Sequence, residues 1–161
     1  TLVATVFCDD KVIVAHVGDS RLYRLRGEEF VALTHDHSVL QEQIDRGLIT
    51  AKEARHALNR NLVTRAIGVD PDVEAEIHVY PVRAGDVYLL CSDGLYDMVE
   101  EEEIQHVLEM SGANLDLSAM QLIKVANDNG GEDNISVAVV KVLREFPAAR
   151  GGWSKLWSWL N

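Results

Sequence analysis

Apolar runs separated by short acidic turns set out this chain from its first residues. Leu2 to Phe7 and Val12 to Val17 read as a pair of strands joined at Asp9-Asp10-Lys11. Arg21 to Arg26 interleaves Leu22 and Leu25 with Arg21, Tyr23, Arg24 and Arg26, and Gly27-Glu28-Glu29 turns it into Phe30-Val31-Ala32-Leu33. These four runs predict an antiparallel meander.

The period then changes. Ser38-Val39-Leu40-Gln41 and Thr50-Ala51-Lys52-Glu53 are capping boxes, in which a hydroxyl and a carboxyl or amide satisfy free N–H groups at a helix start. Gly47 can close the first of these helices in a left-handed conformation. Two short helices therefore form an excursion from the sheet. Strand character returns at Val73 to Val82 and Val87 to Cys91, with Arg83-Ala84-Gly85-Asp86 between them. Asp97 to Ser111 predicts a helix whose Glu100 to Glu103 run opposes the positive end of the helix dipole. Ser118-Ala119-Met120-Gln121 predicts the cap of a further helix ending at Asn129-Gly130-Gly131, and Ile135 to Leu143 a last strand. Many strands with late helices between them suit an α+β domain of stacked antiparallel sheets with helices outside.

Three of the turns carry candidate chemistry. Gly18-Asp19-Ser20-Arg21 follows one apolar run, Ser92-Asp93-Gly94 follows another, and Gly130-Gly131-Glu132-Asp133-Asn134 precedes a third. Each aspartate stands at a strand end. Carboxylates gathered there are hard oxygen ligands for magnesium or manganese. For any single turn the ordinary turn-forming habit of Asp and Gly is explanation enough. Without metals, three gathered carboxylates would raise one another's pKa values, which makes such a cluster costly as architecture alone.

Composition narrows the classes. At 161 residues and 47% hydrophobic, the chain can bury one domain core. A net charge of −11 opposes nucleic-acid binding, which needs Lys and Arg against phosphates. Divalent ions between an acidic site and a phosphoprotein reverse the local charge, so that substrate class stays open. Cys8 and Cys91 read as buried thiols, and no Cys-x-x-Cys pair suggests zinc. A cysteine-dependent phosphatase needs an arginine six residues after its nucleophile, and that position after Cys91 is Asp97. No apolar run approaches the ~20 residues of a membrane span. With no signal peptide, a reducing, cytoplasmic setting is expected.

Taken in order, the three turns resemble the metal-dependent protein phosphatase (PPM) family, the type 2C serine/threonine phosphatases of bacterial type. Leu33-Thr34-His35-Asp36-His37-Ser38 and Asn61-Leu62-Val63-Thr64-Arg65-Ala66-Ile67-Gly68 add to the match, which runs from Thr1 to about Leu143. The resemblance implies an α-β-β-α four-layer sandwich, with residues 1–143 as the C-terminal part of the catalytic domain and a flap at about 38–60. It implies two Mn2+ or Mg2+ ions, with a third in many members, and a metal-activated water that attacks phosphoserine or phosphothreonine. Asp93 and Asp133 match ligands of one core ion, and Asp19 a ligand of the third, shared with Asp93. Gly94 lets backbone pass close to the site, and Asn134 orients the Asp133 turn. The partners implied are phosphorylated Ser/Thr proteins and an opposing Ser/Thr kinase. His35-Asp36-His37 reads as hydrogen-bonding rather than metal-ligating, and Arg65 as a local ion-pair former rather than a phosphate ligand.

The family's upstream phosphate-binding arginine and metal-bridging aspartate are not in this sequence, so the chain is read as N-terminally truncated and inactive alone. Residues 144–161 read as a linker and a Trp-rich tail. Trp153, Leu156, Trp157 and Leu160 share one helical face, suited to docking on the domain, to a partner or, weakly, to a membrane interface. The alternatives are a catalytically inactive phosphatase-like binding module, against which the intact aspartates count, and a stress-regulator phosphatase, which the flap helices disfavour.

Overall fold

In the computed structural model the described residues are 1–55, 57, 62–69, 71–110, 112 and 114–147. They form two antiparallel sheets. The first has the order β1-β2-β5, from Leu2–Cys8, Lys11–Val17 and Glu76–Pro81. The second has the order β4-β3-β6-β7, from Glu29–Ala32, Arg21–Arg26, Val87–Cys91 and Val137–Lys141. The hairpin between β1 and β2 turns on Asp9 and Asp10, both in the left-handed region, a conformation that aspartate tolerates better than most residues.

The meander expected over the first four runs divides between the sheets. β2 pairs with β1 and β5, and β3 pairs with β4 and β6. The chain changes sheet at Gly18-Asp19-Ser20, so the first acidic turn crosses one end of the sandwich. Local pattern specifies strands but not which non-local partner each will find.

Two cores follow from this division. Val12, Val14, Leu22, Leu33, Tyr88 and Val142 fill the space between the sheets. On the far side of the second sheet, Tyr23, Leu25, Leu89 and Cys91 pack against Leu95, Ile104, Leu108 and Leu122 of the later helices. β6 is thus covered on both faces, and burying Leu89 completely there contributes about 1.5–3 kcal/mol. The layers run sheet, sheet, helices. The outer face of the first sheet carries Leu2, Val6, Ile77 and Val79, all exposed. That face is where the outer helical layer of the expected four-layer sandwich would lie, and no described residue covers it as a helix.

The flap region holds α1, Val39–Asp45, and α2, Ala51–Arg55. Ser38 Oγ accepts from Gln41 N–H, but the Gln41 amide bonds Asp45 instead of completing the box. The Thr50–Glu53 box is reciprocal. Gly47 closes α1 at φ +68°.

Two helix predictions need correction. The helix expected from Asp97 to Ser111 begins only at Glu101, as α4 (Glu101–Met110), and a separate short helix, α3 (Asp93–Tyr96), precedes it. Asn129 Nδ2–H donates to Met98 O between them, giving that carbonyl a partner outside the helix. The acidic run does lie in the first turn of α4. Asn114, not Ser118, caps α5 (Leu115–Asp128): Asn114 Oδ1 accepts from Leu117 N–H, while Ser118 is buried inside the helix and bonds back to Asn114 O. Phe146 packs against the inter-sheet core, so the folded body continues to that residue. The tail predicted over 153–160 and Asn61 lie outside the described residues.

Candidate metal centre

Asp19 sits where the chain leaves β2 for β3. Its backbone carbonyl accepts from Tyr96 Oη–H at 2.9 Å, and the residue is buried. Arg21, two residues on, meets Asp36 in a forked pair, with Nη2–H to Oδ2 at 2.7 Å and Nε–H to Oδ1 at 3.0 Å. Its guanidinium lies 3.6 Å over the Tyr96 ring. Asp36 therefore fixes Arg21, Arg21 covers Tyr96, and Tyr96 holds the Asp19 turn.

Asp93 opens α3 directly after β6. Its carboxylate accepts from the N–H of Gly94 at 2.9 Å. Gly94 explains how the second and third turns meet. A Cβ there would stand 2.6 Å from Asn134 O and 3.2 Å from Asp133 O. Only a residue without a side chain lets the two backbones approach so closely. Ser92 secures the same junction: its Oγ–H donates to Asn134 O at 2.8 Å and its Oγ accepts from Ser136 N–H at 3.0 Å. Asn134 donates to Asp133 Oδ1 through its backbone N–H at 2.6 Å and its side-chain amide at 3.3 Å.

A cavity of about 570 Å³ lies between the Asp19 and Asp93 turns and the flap helices. Asp19, Asp93, Asp36, Arg21 and Tyr96 line one side, and Leu40, Ile44 and Ala54 the other. Burial, then the Asp93 carboxylate, pushes the Asp19 pKa above its ordinary value. A buried carboxylate whose charge is disfavoured beside a second carboxylate is a donor set that a hard divalent cation satisfies. Asp133 is exposed and does not line this cavity; it adjoins Asp93 through the Gly94–Asn134 contact. The structure thus brings Asp19 and Asp93 to one cavity and seats the Asp133 turn beside them.

His35 and His37 do not share a side. His35 is exposed and bonds Asp45, whereas His37 is buried and bonds Glu76. Both are hydrogen-bonding residues, as expected. Arg65 donates to Glu74 O and lies 3.4 Å from His37 Nε2, a local role. Cys91 is buried and its thiol pKa is pushed up to about 12, which makes it a poor nucleophile. Cys8 is only half-buried, less than expected, and both thiols are free.

Sequence reading missed His16. Its ring stacks on His37 with centroids 4.7 Å apart, and Nε2–H donates to His35 O. The signal was present: His16 continues the inward-facing positions of Val12 and Val14 on β2. Tyr96 was missed as well, since nothing local announces a partner 77 residues away.

The protein phosphatase 2C profile matches residues 1–135. The serine/threonine phosphatase stp of Listeria innocua is 41% identical over 141 residues, 88% of this chain and 56% of that protein. A crystal structure of the Mycobacterium tuberculosis serine/threonine phosphatase PstP/Ppp superposes with a TM-score of 0.81 at 39% identity, covering 88% of this chain and 59% of that one. A structure of the PstP catalytic domain in complex with two manganese ions superposes at 0.78 with 38% identity, over 88% and 57% of the two chains. The chain spans somewhat over half the length of these relatives. With the ordered acidic turns, the two-sheet core and this similarity along most of its length, the chain belongs to the protein phosphatase 2C family.

Proposed function

We propose that the domain to which this chain contributes hydrolyses phosphoserine and phosphothreonine in proteins with the help of Mn2+ or Mg2+. The observation that carries the reading is the meeting of Asp19 and Asp93 in one cavity, with the Asp133 turn packed against the neighbour of Asp93. Asp93 and Asp133 would hold one ion, and Asp19 with Asp93 a further one. When bound, the ions supply an activated water and offset charge on the phosphoryl oxygens.

The chain's own residues do the positioning. Asn134 holds one oxygen of Asp133, leaving the other for an ion. Gly94 and Ser92 fix the distance between the Asp93 and Asp133 turns. The cavity wall formed by α1 and α2 bounds the space open to a phosphopeptide on the flap side. Reversal of phosphorylation implies an opposing Ser/Thr kinase. Two free cysteines suit a reducing, cytoplasmic setting, and no helix among the described residues is long and apolar enough to cross a membrane. A contact made through the 153–160 tail belongs to the same proposal and awaits a binding test.

The test is manganese-dependent hydrolysis of a phosphothreonine peptide by the 161-residue chain beside a form spanning the relatives' full catalytic length. The longer form is expected to be active and the shorter one not. In the longer form, Asp93→Asn or Asp133→Asn is expected to lower activity more than about 100-fold, beyond the usual loss for an outer-shell partner. Activity retained in both variants would refute the site.

A further inference from the structure

Among the described residues, the tightest group of metal-type side chains is not the aspartates but His16, His37 and Glu76, whose ligand atoms lie within 4.8 Å of one another. The bonds of His37 decide what this group does. Gly18 N–H donates to His37 Nδ1 at 3.1 Å, and His37 N–H donates to Gly18 O at 3.0 Å. Both backbone groups of the residue before Asp19 are therefore taken by one residue. A ring nitrogen that accepts carries no proton, so the His37 proton is on Nε2, where it is donated to Glu76 Oε2 at 3.1 Å.

This tautomer opposes a metal at the cluster. An ion on His37 Nε2 would drive the ring proton to Nδ1, where Gly18 N–H already points. The His16 and His37 rings are also stacked within 20° of parallel, so their in-plane lone pairs do not converge. Burial lowers the His37 pKa and so favours the same neutral ring. On its other side His37 O accepts from Thr64 N–H at 2.8 Å, and Ser38, the next residue, caps α1. His37 is thus built between the Asp19 turn, the segment from Leu62 and the start of the flap.

We propose that His37, with its proton fixed by Glu76, is a positioning residue for the Asp19 turn: it sets the Gly18 peptide and through it the approach of Asp19 to a divalent ion. This rests on the metal-dependent reading above.

The test uses the natural full-length protein and measures manganese binding by electron paramagnetic resonance alongside the manganese dependence of hydrolysis. His37→Ala is expected to weaken binding at the Asp19 ion about 10-fold, raising the manganese requirement more than it lowers the rate at saturating manganese. His37→Asn places an amide oxygen where Nδ1 accepts and is expected to restore most of the affinity. Glu76→Ala frees the tautomer and is expected to weaken binding, by less than His37→Ala does. Unchanged manganese affinity in His37→Ala, or no rescue by His37→Asn, overturns the proposal. If His37→Ala does not fold, Glu76→Ala decides, and unchanged affinity there overturns it. Asp93→Asn separates the two readings: if it abolishes hydrolysis while His37→Ala moves nothing, only this inference fails, whereas full activity in Asp93→Asn removes the phosphatase site itself.

Discussion

The corner that carries Asp93 and Asp133 is joined by direct contact between its own turns: Ser92 bonds Asn134 and Ser136, and the Gly94 backbone lies against Asn134. The Asp19 corner is held by residues from elsewhere, with the Tyr96 hydroxyl on its carbonyl and both the ring and the backbone N–H of His37 on the preceding peptide. Contact between backbones leaves little room for adjustment, while side-chain hydrogen bonds can be lost one at a time. The first corner should therefore fail as a unit and the second by degrees.

The largest departure is expected for Gly94→Ala. The new methyl would meet backbone carbonyls of another segment and force the Asp133 turn away. A stability loss of about 1–3 kcal/mol should appear in urea unfolding, together with weakened manganese binding. A neutral result would mean that the two turns are less tightly joined than their geometry indicates.

Tyr96→Phe should act only on the other corner. It removes the donor to Asp19 O while keeping the ring beneath Arg21. The expected cost is about 1 kcal/mol, with manganese binding affected at the ion proposed for Asp19 and not at the one proposed for Asp93 and Asp133. Loss of both ions would erase the distinction between the corners. Thr50→Ala should be milder, about 0.5 kcal/mol, because it uncaps an exposed flap helix. Faster amide exchange confined to 51–55 is the readout, and a change in manganese affinity would show the flap to be coupled more strongly than these bonds imply.

The smallest effect expected is a pH dependence seated at the second corner. The His37 pKa is lowered by burial, with Arg65 and His16 acting in the same direction and Glu76 against them. The unfolded chain therefore binds a proton at His37 more readily than the folded one. The contribution is complete above the unfolded value of about 6.5 and is lost as pH falls below it. Glu76 is held at about 2 by His78 first and by His37, against the opposing effect of burial. Its contribution persists above the unfolded carboxylate range and fades only as pH falls toward 2. Urea midpoints between pH 5 and 8 should decline toward acid in the parent and less so in His37→Asn.

Where neighbours in sequence are also neighbours in space, the sequence alone was informative. The reciprocal box at Thr50 and Glu53, the close of α1 at Gly47 and the acidic first turn of α4 are all interactions within a few residues. The three aspartates were legible for the same reason, each standing in a turn beside an apolar run.

Where two plausible local choices competed, packing decided. Ser118 had a cap-like sequence, but its helix continues upstream to Asn114 and buries it. The stretch after Cys91 divided into α3 and α4 around buried Val99. A helical period fixes which residues share a face, but not where a chain must bend to keep that face on the core.

The sequence by itself thus determined the strands, the acidic turns and the family they resemble, because each depends on residue chemistry and short spacings. Only the tertiary structure decided that the chain changes sheets at Asp19, that Gly94 lies against Asn134, and that His16 and His37 stack beside Glu76. Those contacts join residues 21 to 60 positions apart, and their geometry is set by how two sheets and a helical layer bury their apolar faces together, which no local pattern encodes.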